Sequence, residues 1–254
     1  MTEKYYHDGK VPENIPLDES GSSLLKDVRE NYLRLVYNVN NTRERLGIKY
    51  PVKISAATKT VPPSVINYAA SLGLNCIGEN RVQEFLDKEG YLDGSLERHF
   101  IGTLQRNKVK YITGKVSLIQ SVDSVPLALE ISKRAESTGN VQDILAEINI
   151  GRENGKGGFL PENLADSLDL ISEFHGIRLC GVMTIAPHCS KKDDYRKFFA
   201  ETYQILLDIA AKKMHNIEVP LLSMGMSDNY EIAIEYGANI IRPGTAIFGK
   251  RHYN

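Results

Sequence analysis

Cysteine is scarce in this 254-residue sequence: only Cys76, Cys180 and Cys189, unevenly spaced and without a CxxC pair. That excludes a disulfide scaffold and a cysteine-based zinc site, and it suits free thiols in a reducing compartment. The six histidines are scattered and form no metal constellation. No apolar run approaches the roughly 20 residues of a membrane-spanning helix, and the N-terminus MTEKYYHDGK lacks the apolar core of a signal peptide. Charge of one sign is missing too, because 31 Lys and Arg stand against 32 Asp and Glu for a formal net charge of −1. Such a balance argues against a nucleic-acid surface, so neither nucleic acid nor membrane is expected as a partner, and the expected location is cytoplasmic.

Two glycine motifs are absent as well. Gly155-Lys156-Gly157-Gly158 lacks the spacing of a P-loop. The first strand-to-helix turn, Thr58-Lys59-Thr60-Val61-Pro62, contains no glycine, against a dinucleotide-type doubly wound sheet.

What the chain does have is regular alternation. Residues 1–19 are polar, carry prolines and show no apolar period, and read as a loose tail. Leu24, Leu25, Val28, Tyr32, Leu35, Val36 and Val39 then mark one face of a helix over 22–46, with Gly47 to end it. Eight short β-type runs follow, at 52–58, 75–78, 99–101, 118–121, 144–149, 178–183, 221–223 and 239–242, separated by helical patterns. Length and spacing suit a single (β/α)8 TIM-type barrel over residues 20–254. Because the sequence ends soon after the eighth strand, no helix is expected there, and the N-terminal helix is expected to fill the gap in the outer ring.

In such barrels the chemistry gathers at the C-terminal ends of the strands. The seventh ends in Ser223-Met224-Gly225-Met226-Ser227-Asp228, ahead of a helical pattern with Ser227 or Asp228 as N-cap, and the eighth in Arg242-Pro243-Gly244-Thr245. Hydroxyls, small residues and free backbone N–H groups there suit a phosphate. Lys59 closes the first strand, which neighbours the eighth in a closed barrel, and an amine at the mouth is a usable nucleophile toward an aldehyde. A ligand with both an aldehyde and a phosphate satisfies both features: pyridoxal 5′-phosphate (PLP), or a phosphosugar in a Schiff-base aldolase. Arg242 favours the former weakly, since arginine is one of the usual partners of a pyridine nitrogen, the other reading being a structural arginine that bridges barrel carboxylates. The spacing of Asn80 reads as a helix N-cap, His99 as a satisfied core histidine, Met224 and Met226 as packing, and the basic run from Gln105 to Lys110 as a solvated helix start.

Several blocks occur together and in order: Ala56-Ala57-Thr58-Lys59-Thr60, Ile77 to Glu84, His99 to Lys108, Gly181 to Pro187, the SMGMS run and Arg242 to Gly249. Over about residues 24–250 the chain resembles the pyridoxal phosphate homeostasis protein family, whose members have an alanine-racemase-like N-terminal barrel. The resemblance implies PLP as cofactor, with Lys59 as its Schiff-base lysine. It implies Ser227, Gly244 and Thr245 at the phosphate, Arg242 facing the pyridine nitrogen, Asn80 near the cofactor and Met224 beside it. Thr58 and Arg81 depart from the family's usual Ser and Tyr, and Arg81 puts a charge near the mouth.

Racemisation needs an acid–base group on each face of the substrate, and in alanine racemases the second comes from another domain of a partner subunit. No such domain is expected here, so a monomeric carrier that buffers or delivers PLP to apoenzymes is the leading expectation. A low-activity amino-acid racemase is the alternative.

Overall fold

Apolar residues three and four apart give a helix one sticky face. The computed structural model, which describes residues 23–211 and 221–250, shows that face on helix α1, Ser23–Arg45, where Val28, Tyr32, Leu35, Val36 and Val39 are all buried. Leu24, in the first turn of the same face, is exposed, and Gly47 takes a positive φ just past the helix. The tail assigned to residues 1–19 lies outside the described residues.

Among the described residues nine short strands follow: β1 Lys53–Ile54, β2 Ala56–Ala57, β3 Cys76–Glu79, β4 Glu97–Phe100, β5 Leu118–Val122, β6 Gln142–Ile148, β7 Ile177–Thr184, β8 Leu221–Ser223 and β9 Ile240–Ile241. All pair in parallel, in the order β1-β9-β8-β7-β6-β5-β4-β3-β2. The two ends of this order, β1 and β2, are separated in the chain only by Ser55. They are one extended segment whose first half bonds β9 and whose second half bonds β3. The N–H of Ser55 donates to the Ile241 carbonyl at 2.9 Å, and that of Thr58 to the Gly78 carbonyl at 3.1 Å. The sheet therefore returns to its start with eight strand positions, the TIM-type barrel expected from the sequence.

Helices α2 Pro63–Ser71, α3 Val82–Glu89, α4 Val125–Glu136, α5 Leu164–Ser172, α6 Tyr195–Ala211 and α7 Tyr230–Glu235 make the crossovers. Proline in the first turn of α2 and α4 removes an N–H that would have had no partner there. Between β4 and β5 the expected helix is only a 3₁₀ segment, Arg106–Tyr111. Val109 is its one buried residue, so it has no apolar stripe to dock a longer helix. A helix does follow the last strand, contrary to expectation, but it is only α8, Thr245–Phe248. The remaining gap is filled by α1, which packs on α8, α7 and α2. Asn38 ties it to the Tyr230 hydroxyl at 3.1 Å and Asn31 to the Ile247 carbonyl at 3.3 Å.

Strand alternation sorts the side chains into two layers. The large core lies between strands and helices, while Leu118, Leu145, Met183, Leu221 and Ile240 form a small separate cluster inside the barrel. The same register turns Lys53, Ser55 and Ala57 inward with Gly78, His99, Glu147 and Ser223.

Candidate functional site

Lys59 continues the inward set that runs through Ser55 and Ala57. It is half-buried, and among the described residues its amine has no hydrogen-bond or ion-pair partner. Its backbone, by contrast, is clamped from behind. Lys88 on α3 donates to the Thr58 carbonyl at 2.7 Å, to Glu84 at 2.7 Å and to Glu79 at 3.1 Å. Glu84 accepts the N–H of Thr60, and Glu79 accepts the Thr58 hydroxyl. Thr60 holds a φ of 64, a strained value for a β-branched residue, which such bonds must sustain. Burial pushes the Glu79 carboxyl up, with Thr58 and Lys88 acting in the opposite direction. Replacing Lys88 with methionine leaves two carboxylates facing each other without their cation. It is expected to destabilise the fold by about 3 kcal/mol in a denaturant titration, as breaking one side of a buried ion pair does.

The last two strands deliver the opposite wall. Gly225 has a φ of 92, and a Cβ there would stand 2.6 Å from that of Ala233, so only glycine makes the turn out of β8. The turn carries Ser227 to the end of β9, where its oxygen accepts the N–H groups of Gly244 at 3.1 Å and Ala246 at 3.0 Å. These two converging donors, now satisfied by the hydroxyl, are the ones an oxyanion would take over. A Cβ on Gly244 would lie 3.3 Å from the Ala57 carbonyl, so this turn rests against the strand that ends in Lys59. Lys59, Thr60, Gly244 and Thr245 line one cavity of about 210 Å³, together with Leu24, Phe248 and Lys250.

Arg242, the inward residue after β9, is buried. Its Nη1 donates to Ser223 Oγ at 2.5 Å and its Nη2 to the Thr184 carbonyl at 2.8 Å. Desolvation lowers its guanidinium to about 10, against the pull of Glu147, so it stays charged at neutral pH. Glu147 on β6 is raised to about 7, chiefly by burial and then by Asp123, with Arg242 opposing. The residue is thus partly protonated in the folded state where the unfolded chain would be ionised. Its folded pKa lies above the unfolded one, so its contribution to stability is full below about pH 4.5 and is lost as pH rises through about 7. Glu147→Gln, a mimic of the protonated form, should therefore gain on the native protein between about pH 5 and about pH 8, by up to about 3 kcal/mol in paired denaturant titrations.

The other predicted residues sit apart from this cavity. Asn80 is half-buried at the end of β3, and it is not the N-cap of α3, which is the exposed Arg81. The N-cap of α7 is Asn229, not Ser227 or Asp228, and its side chain instead accepts the Met226 N–H at 2.7 Å. Met224 is fully buried in the outer core, because alternation turns it away from the side that Ser223 faces, and Met226 is exposed. Glu147 and Gln120 went unnoticed in the sequence. Glu147 is a lone polar residue between Ala146 and Ile148, a visible signal, whereas Gln120 is paired with Ser121 and stands out less.

A barrel of this topology, with a lysine after its first strand and an anion cradle after its last two, defines a class, and a family model described as alanine racemase, N-terminal domain, matches residues 31–252. A pyridoxal phosphate homeostasis protein of Aquifex aeolicus is 45% identical over 226 residues, covering 88% of this chain and 98% of that protein. The chain belongs to the pyridoxal phosphate homeostasis protein family. Among solved structures it is similar to PipY of Synechococcus elongatus with PLP bound, at a TM-score of 0.77 and 27% identity over 87% of this chain and 100% of that one. An unknown protein of Bifidobacterium adolescentis superimposes with a TM-score of 0.84 at 31% identity, over 94% and 100% of the two chains.

Proposed function

We propose that this protein binds PLP through Lys59 and serves intracellular PLP homeostasis by buffering the cofactor or delivering it to apoenzymes. The observation that carries the reading is the shared cavity, lined by an amine without a partner among the described residues and by the turn at Gly244 and Thr245. PLP supplies an aldehyde and a phosphate dianion. The Lys59 amine would hold PLP at that aldehyde as a Schiff base, with water as the leaving group. Ser227 and the backbone at Gly244 and Thr245 hold the phosphate, Arg242 faces the ring nitrogen and Asn80 approaches the ring's phenolic oxygen. Met224 supports the phosphate turn from the core.

The reading extends to a carrier with little turnover. A permanently charged guanidinium is a poor proton donor to the ring nitrogen, which weakens the ring as an electron sink. Among the described residues no helix is long and apolar enough to cross a membrane. The proposal places the protein in the cytoplasm, as a monomer with one barrel domain over residues 20–254.

Hydride reduction of the cofactor-saturated protein, followed by peptide mapping, tests it. A pyridoxyl adduct on Lys59 is the expected result, and its absence would overturn the reading. Chiral analysis after incubation with several amino acids tests the carrier half, which robust Lys59-dependent turnover would sink in favour of the racemase.

A further inference from the structure

Ser223, Gln120 and His99 are completely buried inside the barrel and lie beneath Arg242. Buried polar side chains persist only with partners, and the partners here leave one consistent arrangement. Arginine has no acceptor, so Ser223 Oγ receives its proton at 2.5 Å and must send its own elsewhere, to Gln120 Oε1 at 2.6 Å. That fixes the amide of Gln120 and directs its Nε2 to His99 Nδ1 at 2.7 Å. Nδ1 is then an acceptor, the ring proton sits on Nε2, and Nε2 donates to Glu97 Oε1 at 2.8 Å. Burial, opposed by Glu97, holds His99 toward its neutral form, in agreement with this tautomer.

Glu97 ends the chain as a carboxylate that also accepts from Lys53 and, at 3.0 Å, from Ser117. Donors therefore run in one direction, from the cation at the mouth to the anion at the barrel floor. Cys76, Glu97 and His99 bring metal-ligating atoms within 4.8 Å of one another, but Nδ1 and the carboxylate are already engaged in the chain.

The arrangement matters because Arg242 has a competitor. Glu147 and Arg242 feel each other's charge yet make no ion pair. We propose that Gln120 is a positioning residue, which through Ser223 holds the Arg242 guanidinium away from Glu147 and available to the ring nitrogen of PLP. The cofactor half of this inference rests on the proposed PLP binding, and the orientation of Arg242 does not.

The test uses the full-length protein and its Gln120→Leu and Ser223→Ala variants, the second removing a single hydroxyl in case the first fails to fold. Without cofactor, the Glu147 carboxyl is titrated by carbon NMR. Released from Ser223, Arg242 swings to Glu147, and the Glu147 titration is expected to move down in both variants but not when either is combined with Arg242→Met, whereas water admitted by loosened packing would lower it in both backgrounds. An unmoved titration in folded variants overturns the proposal. With PLP bound, release from both variants is expected to quicken about tenfold, equivalent to about 1.4 kcal/mol. Unchanged release alongside a shifted titration overturns the cofactor half. Native protein that takes up no PLP would remove the proposed function and with it the cofactor half, while the carboxyl titration still decides the orientation of Arg242.

Discussion

Lys59→Met protein is expected to stay colourless in PLP and to yield no pyridoxyl peptide after hydride reduction. Methionine has a comparable unbranched length but no primary amine, so the C=N bond cannot form. The anion cradle is untouched, since Ser227, Gly244 and Ala246 hold one another by bonds that do not involve Lys59. PLP is therefore expected to bind the variant reversibly through its phosphate, on the order of 100-fold more weakly, which corresponds to roughly 2.7 kcal/mol. Stability should change by less than about 0.5 kcal/mol, because the amine has no partner among the described residues to lose. Absorbance titration, mass mapping and a thermal melt of the same preparation separate the two effects. Lys250 lines the same cavity, so a reduced adduct that simply moved there would show that the phosphate cradle, not Lys59, selects the ligand.

The elements that could be read in advance are those whose signal is local. The apolar period of α1, the lysine closing the first strand and the small-residue turns of the last two strands each lie within a few consecutive positions. The split at Ser55 was invisible, because which half of that segment bonds β9 and which β3 depends on ring closure across the whole chain. The short 3₁₀ segment differs from the expected helix because its basic residues resemble a solvated helix face while the apolar stripe a longer helix needs is missing.

At the site, the family resemblance supplied roles but no orientation. Strand alternation allows only one of Ser223 and Met224 to face the barrel, and it is Ser223 that does. The facing of Glu147 and Arg242 joins residues 95 positions apart by sequence number, on strands that are not neighbours in the sheet. No periodicity within either segment carries that information.

Arg242→Met is expected to cost the fold about 3–5 kcal/mol, the range for removing one member of a buried charged network. Two acceptors lose their donor at once, the Thr184 carbonyl and Ser223 Oγ, and neither is exposed enough for water to replace it. Glu147 loses the charge that opposes burial and Asp123, so its carboxyl should titrate higher than in the native protein. That sign is opposite to the one expected when Gln120 is replaced, where the cation remains but is free to move. Arg242→Lys belongs between the two: it keeps the charge, but a single ammonium lacks the fork that spans Ser223 and Thr184 together. Denaturant titration of the three proteins, with Glu147 followed by NMR in each, separates loss of the charge from loss of its position. Equal stability of the methionine variant would mean that Ser223 and Thr184 find other donors, and the guanidinium would then have no structural task in the barrel.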